Sequence, residues 1–306
     1  PSRDAWSGLA VCSLYGGSDQ ALLDAIDRCD TIFIDLLDNG ARYNTYPAAT
    51  IDLIDAVARS AHRPRVVVLD RPNVVGRAQA GPGLTDRFRS IGGRLNVPVR
   101  HGLTLGELAR FYLAGTDGGD LGVVTAQGWD GSPVQDGIYL SPSPNLNCFQ
   151  AQLLYLGTCL LEGTNVSEGR GTAFPFQQFG APWIDGAQLV DRLCELQAPG
   201  VGFRPVCFLP STSKYAGELC EGAFVHLIDA DAARPIETGV RILEVLFELS
   251  HRAELRWSDE EGEPHRFLDR LWGDSVLADH LAARTGRRFT IEHQAADFSE
   301  ISLYPN

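Results

Sequence analysis

Thr31-Ile-Phe-Ile-Asp-Leu-Leu37 and Arg65-Val-Val-Val-Leu-Asp70 decide the fold. Both are short, β-branched, nearly continuous apolar runs that end in acids, the pattern of parallel strands buried on both faces. Between them, Ala49 to Ala61 sets Ile51, Leu53, Ile54, Val57 and Ala58 at helical spacing, so the stretch reads β-α-β. Ala21 to Cys29 predicts a preceding helix and Leu9 to Leu14 a strand. Ligands of open α/β sheets gather at the carboxyl ends of the strands. Here those ends deliver Asp35, Asp38, Asn39, Gly40, Arg42 and Tyr43 after the first run, and Asp70, Arg71 and Asn73 after the second.

Further along, Thr104 with Glu107 three residues later forms a capping box at the head of a helix. Glu107 is therefore at once a capping residue and a candidate catalytic carboxyl. Ser141-Pro-Ser-Pro-Asn145 is a rigid turn, since each proline fixes φ, and it leads into a helix near Cys148 to Leu156. Glu162-Gly-Thr-Asn-Val-Ser-Glu-Gly-Arg-Gly-Thr172 then packs polar and charged groups between glycines. Glycine lets the backbone approach a ligand closely, so Glu162, Asn165, Ser167, Glu168 and Arg170 are expected to converge. The same residues also admit a plain turn held by a Glu168 to Arg170 pair.

Beyond Trp183 the texture changes to helices (186–196, 235–251, 264–284) and strands (203–209, 223–229). This predicts a parallel α/β domain over 1–183 and an α+β domain over 184–306.

The formal net charge of −13 repels nucleic acid and anionic membrane surfaces. No apolar run is long enough to span a bilayer, and the cytoplasm is the expected location. Seven cysteines without a Cys-x-x-Cys pair signal neither zinc nor a disulfide framework. The histidines show no ligand spacing, so neither metal nor cofactor is expected. His101 is a candidate base, and Tyr43, Tyr46 and Trp183 are candidates to stack on a ring. Lys214 is the only lysine.

Several islands together resemble the bacterial exo-β-N-acetylmuramidases of peptidoglycan recycling. They are Asp35-x-x-Asp38-x-Gly40-x-Arg42-x-x-Thr45-Tyr46, Val66-Val-Val-Leu-Asp-Arg-Pro-Asn73, Arg100-His-Gly-Leu-Thr-Leu-Gly-Glu-Leu108, Ser141-Pro-Ser-Pro-Asn145, Glu162 to Thr172 with Pro175-Phe176 and Gly180-Ala-Pro-Trp183, and Lys214-Tyr-Ala-Gly-Glu-Leu-Cys-Glu-Gly222. The resemblance implies a Rossmann-like domain, a smaller α+β domain and a cleft between them. Members of that family open with further strands and a Gly-Pro-Glu-His-Gly segment whose glutamate is the favoured acid. This sequence has no Glu-His pair in its first half, and Leu37 stands where the family carries glutamine. The Rossmann-like sheet is therefore expected to be incomplete. Unpaired edges must be covered, so a small partner protein supplying the missing strands is expected.

From this follows an expected function. The chain would be the large subunit of a two-chain enzyme, acting on a small amine-bearing molecule of secondary metabolism. It would expel sulfate or phosphate by intramolecular displacement with aziridine-type ring closure. Asp38, Glu107, Glu162 and Glu168 are the candidate catalytic carboxyls. Arg42, Tyr43, Arg71, Asn73, His101, Asn145, Asn165, Ser167 and Arg170 are the candidate substrate ligands. Two alternatives stand beside it: the muramidase reaction itself, which needs a pair of carboxyl groups flanking the bond, and a non-catalytic binder of amino sugars or muropeptides.

Overall fold

The structure, a computed structural model, describes residues 2–11, 19–115, 120–135, 141–258 and 265–304. Two short strands, β1 (Ser2–Arg3) and β2 (Ala10–Val11), pair antiparallel ahead of helix α1 (Asp19–Ile26). Of the strand expected over 9–14, residues 12–14 lie outside the described residues. The β-α-β reading is realised by β3 (Thr31–Ile34), α2 (Thr45–Arg59) and β4 (Arg65–Leu69). Helix α2 starts four positions ahead of the expected Ala49 and so contains Pro47 in its first turn. A missing N–H costs nothing there, because the first turn of a helix has no carbonyl to donate to. After α3 (Leu105–Ala114), β5 (Leu121–Val124) completes a parallel three-stranded sheet of order β3-β4-β5.

Burial on both faces, expected from the apolar runs, holds for the middle strand, where Val66, Val67 and Val68 are all buried, but not for the flanking strands. Ile34, Val66 and Val68 pack with Ile54, Val57, Leu105 and Ala109 of α2 and α3. Phe33 and Val124 remain 64% and 56% exposed. Side chains alternate along a strand, and the helices packed on this sheet meet the Ile34 face. A run that is apolar at every position hides this asymmetry.

The second half begins with α4 (Phe149–Thr158), which runs into a 3-10 turn at Cys159–Gly163. Strand β6 (Gln178–Ala181) lies before the expected boundary at 183, yet it pairs with β8 (Cys220–Leu227) beyond it. With β7 (Val201–Phe208) they form an antiparallel sheet of order β6-β8-β7. Helices α5 (Gly186–Glu195) and α6 (Pro235–Leu249) supply its core face through Leu189, Leu193, Val240 and Leu243. Helix α6 crosses α4 at a contact between glycines: a Cβ on Gly157 would lie 1.8 Å from the Pro235 carbonyl oxygen, and one on Gly239 would lie 2.3 Å from that of Gly157. This close approach fixes the end of α4, and so the loop that follows.

Strands β9 (Trp257–Ser258) and β10 (His265–Arg266) form a hairpin-like pair before α7 (Phe267–Trp272) and α8 (Val276–Ala283). A single helix was expected over 264–284; Pro264 lies outside the described residues, and the remainder is broken at Gly273. Its φ of +103° ends α7, and its Cα approaches both the Gly83 carbonyl and Arg42 too closely for any side chain. Among the described residues no helix is long and apolar enough to cross a membrane.

Candidate active site

The glycine-rich loop does bring its charges together. Arg170 donates Nη2 and Nε to Glu162 Oε1 at 2.6 and 3.1 Å, and its Nε lies 3.3 Å from Glu168 Oε1. Gly169 and Gly171 both sit at positive φ, +83° and +78°, where a Cβ would strike the Gln178 and Thr212 carbonyls. Only glycine permits that path. The guanidinium also lies 4.9 Å over the Phe176 ring, a cation–π contact that fixes its plane.

A fourth member of the cluster was not among the candidates. Lys214 donates Nζ to Glu168 Oε2 at 3.0 Å and to the Leu161 and Val166 carbonyls at 3.0 and 2.8 Å. The signal was present in the sequence, as the chain's single lysine within one of the quoted islands, but nothing local says that it folds back onto residue 168. Burial pulls the Lys214 ammonium below its usual range, opposed by the attraction of Glu168. Burial likewise raises the Glu162 carboxyl, with Glu168 adding to the rise and Arg170 opposing it. Glu162 thus holds its proton to higher pH than an ordinary glutamate. Beneath it, the Cys159 thiol is pushed well up by burial and then by Glu162. Tyr155 stacks edge-on against Phe176 at 4.7 Å and against Tyr43 at 5.4 Å.

A second cluster lies after β3. Asp38, 6% exposed, accepts from Asn44 Nδ2 at 3.0 Å and from the Gly40 N–H at 3.2 Å. His101 Nε2 is 3.1 Å from Asp38 Oδ2, off the line of a straight hydrogen bond. His101 Nδ1 accepts the Leu103 N–H at 3.1 Å, which leaves the proton on Nε2, facing the carboxyl. At the strand tips, Arg71 donates to Asp35 at 2.6 and 2.8 Å, and both residues are partly exposed.

Other candidates are placed elsewhere. The Arg42 guanidinium, 3% exposed, donates to the carbonyls of Pro82, Val97, Leu271 and Trp272 at 2.7 to 3.1 Å. It ties the first half to α7, with Nε buried and without a partner; burial brings it down to about 10. Tyr43 is a core residue whose hydroxyl donates to the Leu156 carbonyl at the end of α4. Asn73 is closed by the Leu103 carbonyl and the Val75 N–H. Glu107 makes the predicted capping box with Thr104 and then meets Arg77 at 2.8 Å and the Leu303 N–H at 2.8 Å. Each is buried in the scaffold. Asn165 bridges to the Arg252 carbonyl and the Glu254 N–H, and Ser167 Oγ accepts from the Gly169 N–H. Asn145 stays partly exposed on the proline turn, with its N–H turned to Ser143 Oγ. Tyr46 donates to Pro142 of the same turn at 2.7 Å, so the start of α2 and the turn before α4 are in contact.

A parallel sheet with polar strand ends, joined to an antiparallel sheet that carries a paired charge cluster, defines a two-part α/β protein. The fold is shared with solved structures. A DUF1343 family protein of Bacteroides fragilis superposes with a TM-score of 0.80 at 28% identity, covering 94% of this chain and 76% of that one. A second protein of that family and organism gives 0.64 at 24% identity, covering 93% and 75%.

The family itself follows from sequence models. Residues 1–150 match the N-terminal model of the exo-beta-N-acetylmuramidase NamZ, and residues 153–300 match its C-terminal model. The chain belongs to this NamZ-like family. The peptidoglycan beta-N-acetylmuramidase NamZ of Bacillus subtilis is 35% identical over 251 residues, which are 80% of this chain and 60% of that protein. The chain thus spans less than two thirds of the length of that relative. These matches overturn the expected ring closure by a split large subunit. Both family models fall on this one chain, and the similarity leads to a glycoside hydrolase.

Proposed function

We propose that this chain is an exo-acting β-N-acetylmuramidase, hydrolysing the bond between a terminal N-acetylmuramic acid unit and its leaving group. The observation that carries the reading is the match of both NamZ models along the chain, together with 35% identity to a peptidoglycan muramidase. The residues present can supply the same chemistry. Glycoside hydrolysis needs one carboxyl that carries a proton to the leaving oxygen and a second that stabilises or attacks the sugar cation. Glu162 is suited to the first role, because burial raises it while its Arg170 contact fixes its orientation. Asp38, held by Asn44 and faced by His101, is suited to the second. In the reaction, the proton of Glu162 passes to the departing oxygen as the glycosidic bond breaks; water then adds its hydroxyl to the anomeric carbon, and its remaining proton returns to the Glu162 carboxylate.

The test is turnover of a chromogenic β-N-acetylmuramide by the wild-type chain and by Glu162→Gln. Glutamine keeps the shape and removes the proton, so kcat should fall by about 10²- to 10⁴-fold, with KM and thermal midpoint little changed. Absence of turnover above the uncatalysed rate in the wild type would remove the reading. An unchanged kcat in Glu162→Gln would remove Glu162 from the acid's role.

A further inference from the structure

A cavity of about 510 Å³ opens away from the Glu162 cluster, in the seam between the two halves. The first half contributes the 75–80 segment, Arg100 and Pro133; the second contributes Leu156, the 230–234 turn, the start of α6 and His293. Among the described residues, two of its cations have no direct carboxylate partner. Arg100 donates only to the Val75 carbonyl, its Nε is buried with no partner, and no carboxylate lies within 4 Å of it among the described residues. Arg234 uses one nitrogen on the carbonyls of Asp231, Ala232 and Ala233 and likewise has no carboxylate partner.

The two guanidiniums feel each other: Arg100 is lowered to about 10, first by burial and then by Arg234. Two acids also line the cavity, but neither carboxylate touches a guanidinium. Glu237 faces His293 Nε2 at 3.7 Å, the proton lying on that nitrogen because Nδ1 accepts the Gly81 N–H at 2.9 Å; Asp231 stands exposed at the rim. The fifteen-residue helix α6 also begins here, at Pro235, and its N-terminus carries partial positive charge. A desolvated cation without an anion is costly. Arg100 is such a group, and the solvent-exposed guanidinium of Arg234 lines the same cavity.

We infer that this seam is a binding site for a small oxyanion, a carboxylate or a phosphate, held between Arg100 and Arg234 and joining the two halves when bound. The inference does not depend on the hydrolytic reading, since it concerns neither Glu162 nor Asp38.

Calorimetric titration in chloride buffer with inorganic phosphate and, separately, with lactate tests it on the whole chain. Saturable binding of either anion is expected, and whichever binds identifies the class. Losing a charge-assisted bond weakens binding by about tenfold or more, so Arg234→Gln, at an exposed position, should raise Kd by that factor. Arg100→Gln should do at least as much, and Glu237→Gln, which removes a nearby negative charge, should tighten binding. Arg59→Gln, on α2 and outside the cavity lining, serves as the control and should bind as the wild type does. No saturable heat with either anion would overturn the inference. So would a Kd in Arg234→Gln equal to that of the wild type.

Discussion

Arg42 and Arg170 are both arginines set beside glycines in quoted islands of the sequence, and the fold treats them oppositely. Arg42 is sealed among four carbonyl oxygens contributed by three separate segments, whereas Arg170 faces two carboxyls on its own loop. A guanidinium that meets only carbonyls is a clamp: its fork fills the acceptors of chain ends that have no ladder to join. A guanidinium between carboxyls acts on their protonation. The first region holds the two halves in place, and the second sets the charge state of the candidate acid.

The contrast breaks most clearly at Arg42. Arg42→Met should orphan the carbonyls of Val97, Leu271 and Trp272, the Pro82 carbonyl keeping the Val99 N–H, and cost on the order of 3 kcal/mol, seen as a drop in the urea midpoint with unchanged slope. Loss of activity in the folded protein, at full stability, would mean that Arg42 is a substrate ligand after all.

Lys214 comes next. Lys214→Met leaves Glu168 buried beside Arg170 alone and empties the donor to Leu161 and Val166. Breaking one side of a buried pair costs roughly 3 kcal/mol. Lys214→Arg is expected to recover only part of this, because a planar fork cannot point three ways as an ammonium does.

The smallest effect should be a displacement of the pH profile. Arg170 opposes the rise of Glu162. With Arg170→Gln the carboxyl keeps its proton to higher pH. A general acid works in its protonated form, so the alkaline limb of kcat should move to higher pH. A limb that moved to lower pH, or not at all, would separate Glu162 from the group that the profile reports.

Much of this was legible in the residues. Thr104 and Glu107 form the predicted capping box because a cap is a local matter of three residues. The β-α-β unit was legible for a similar reason, since strand and helix periods are written in adjacent positions. The clustering of Glu162, Glu168 and Arg170 also needed only a short loop with glycines at positive φ.

Asn73, Tyr43 and Glu107 were read as facing a ligand because they follow strands or sit beside glycines. Each instead meets a partner about 30 to 196 residues away. The break of the last helix at Gly273 belongs with them, since it is set by the approach of Gly83 and Arg42 from the other half of the chain. The sequence alone determined the elements, the caps and the loop that gathers charge, because those depend on neighbours within a few residues. Only the tertiary structure decided which polar side chains were used to join the halves, that burial raises the Glu162 carboxyl, and that the single lysine closes the cluster. Those outcomes depend on desolvation and on acceptors brought from distant segments, and neither is encoded at the position itself.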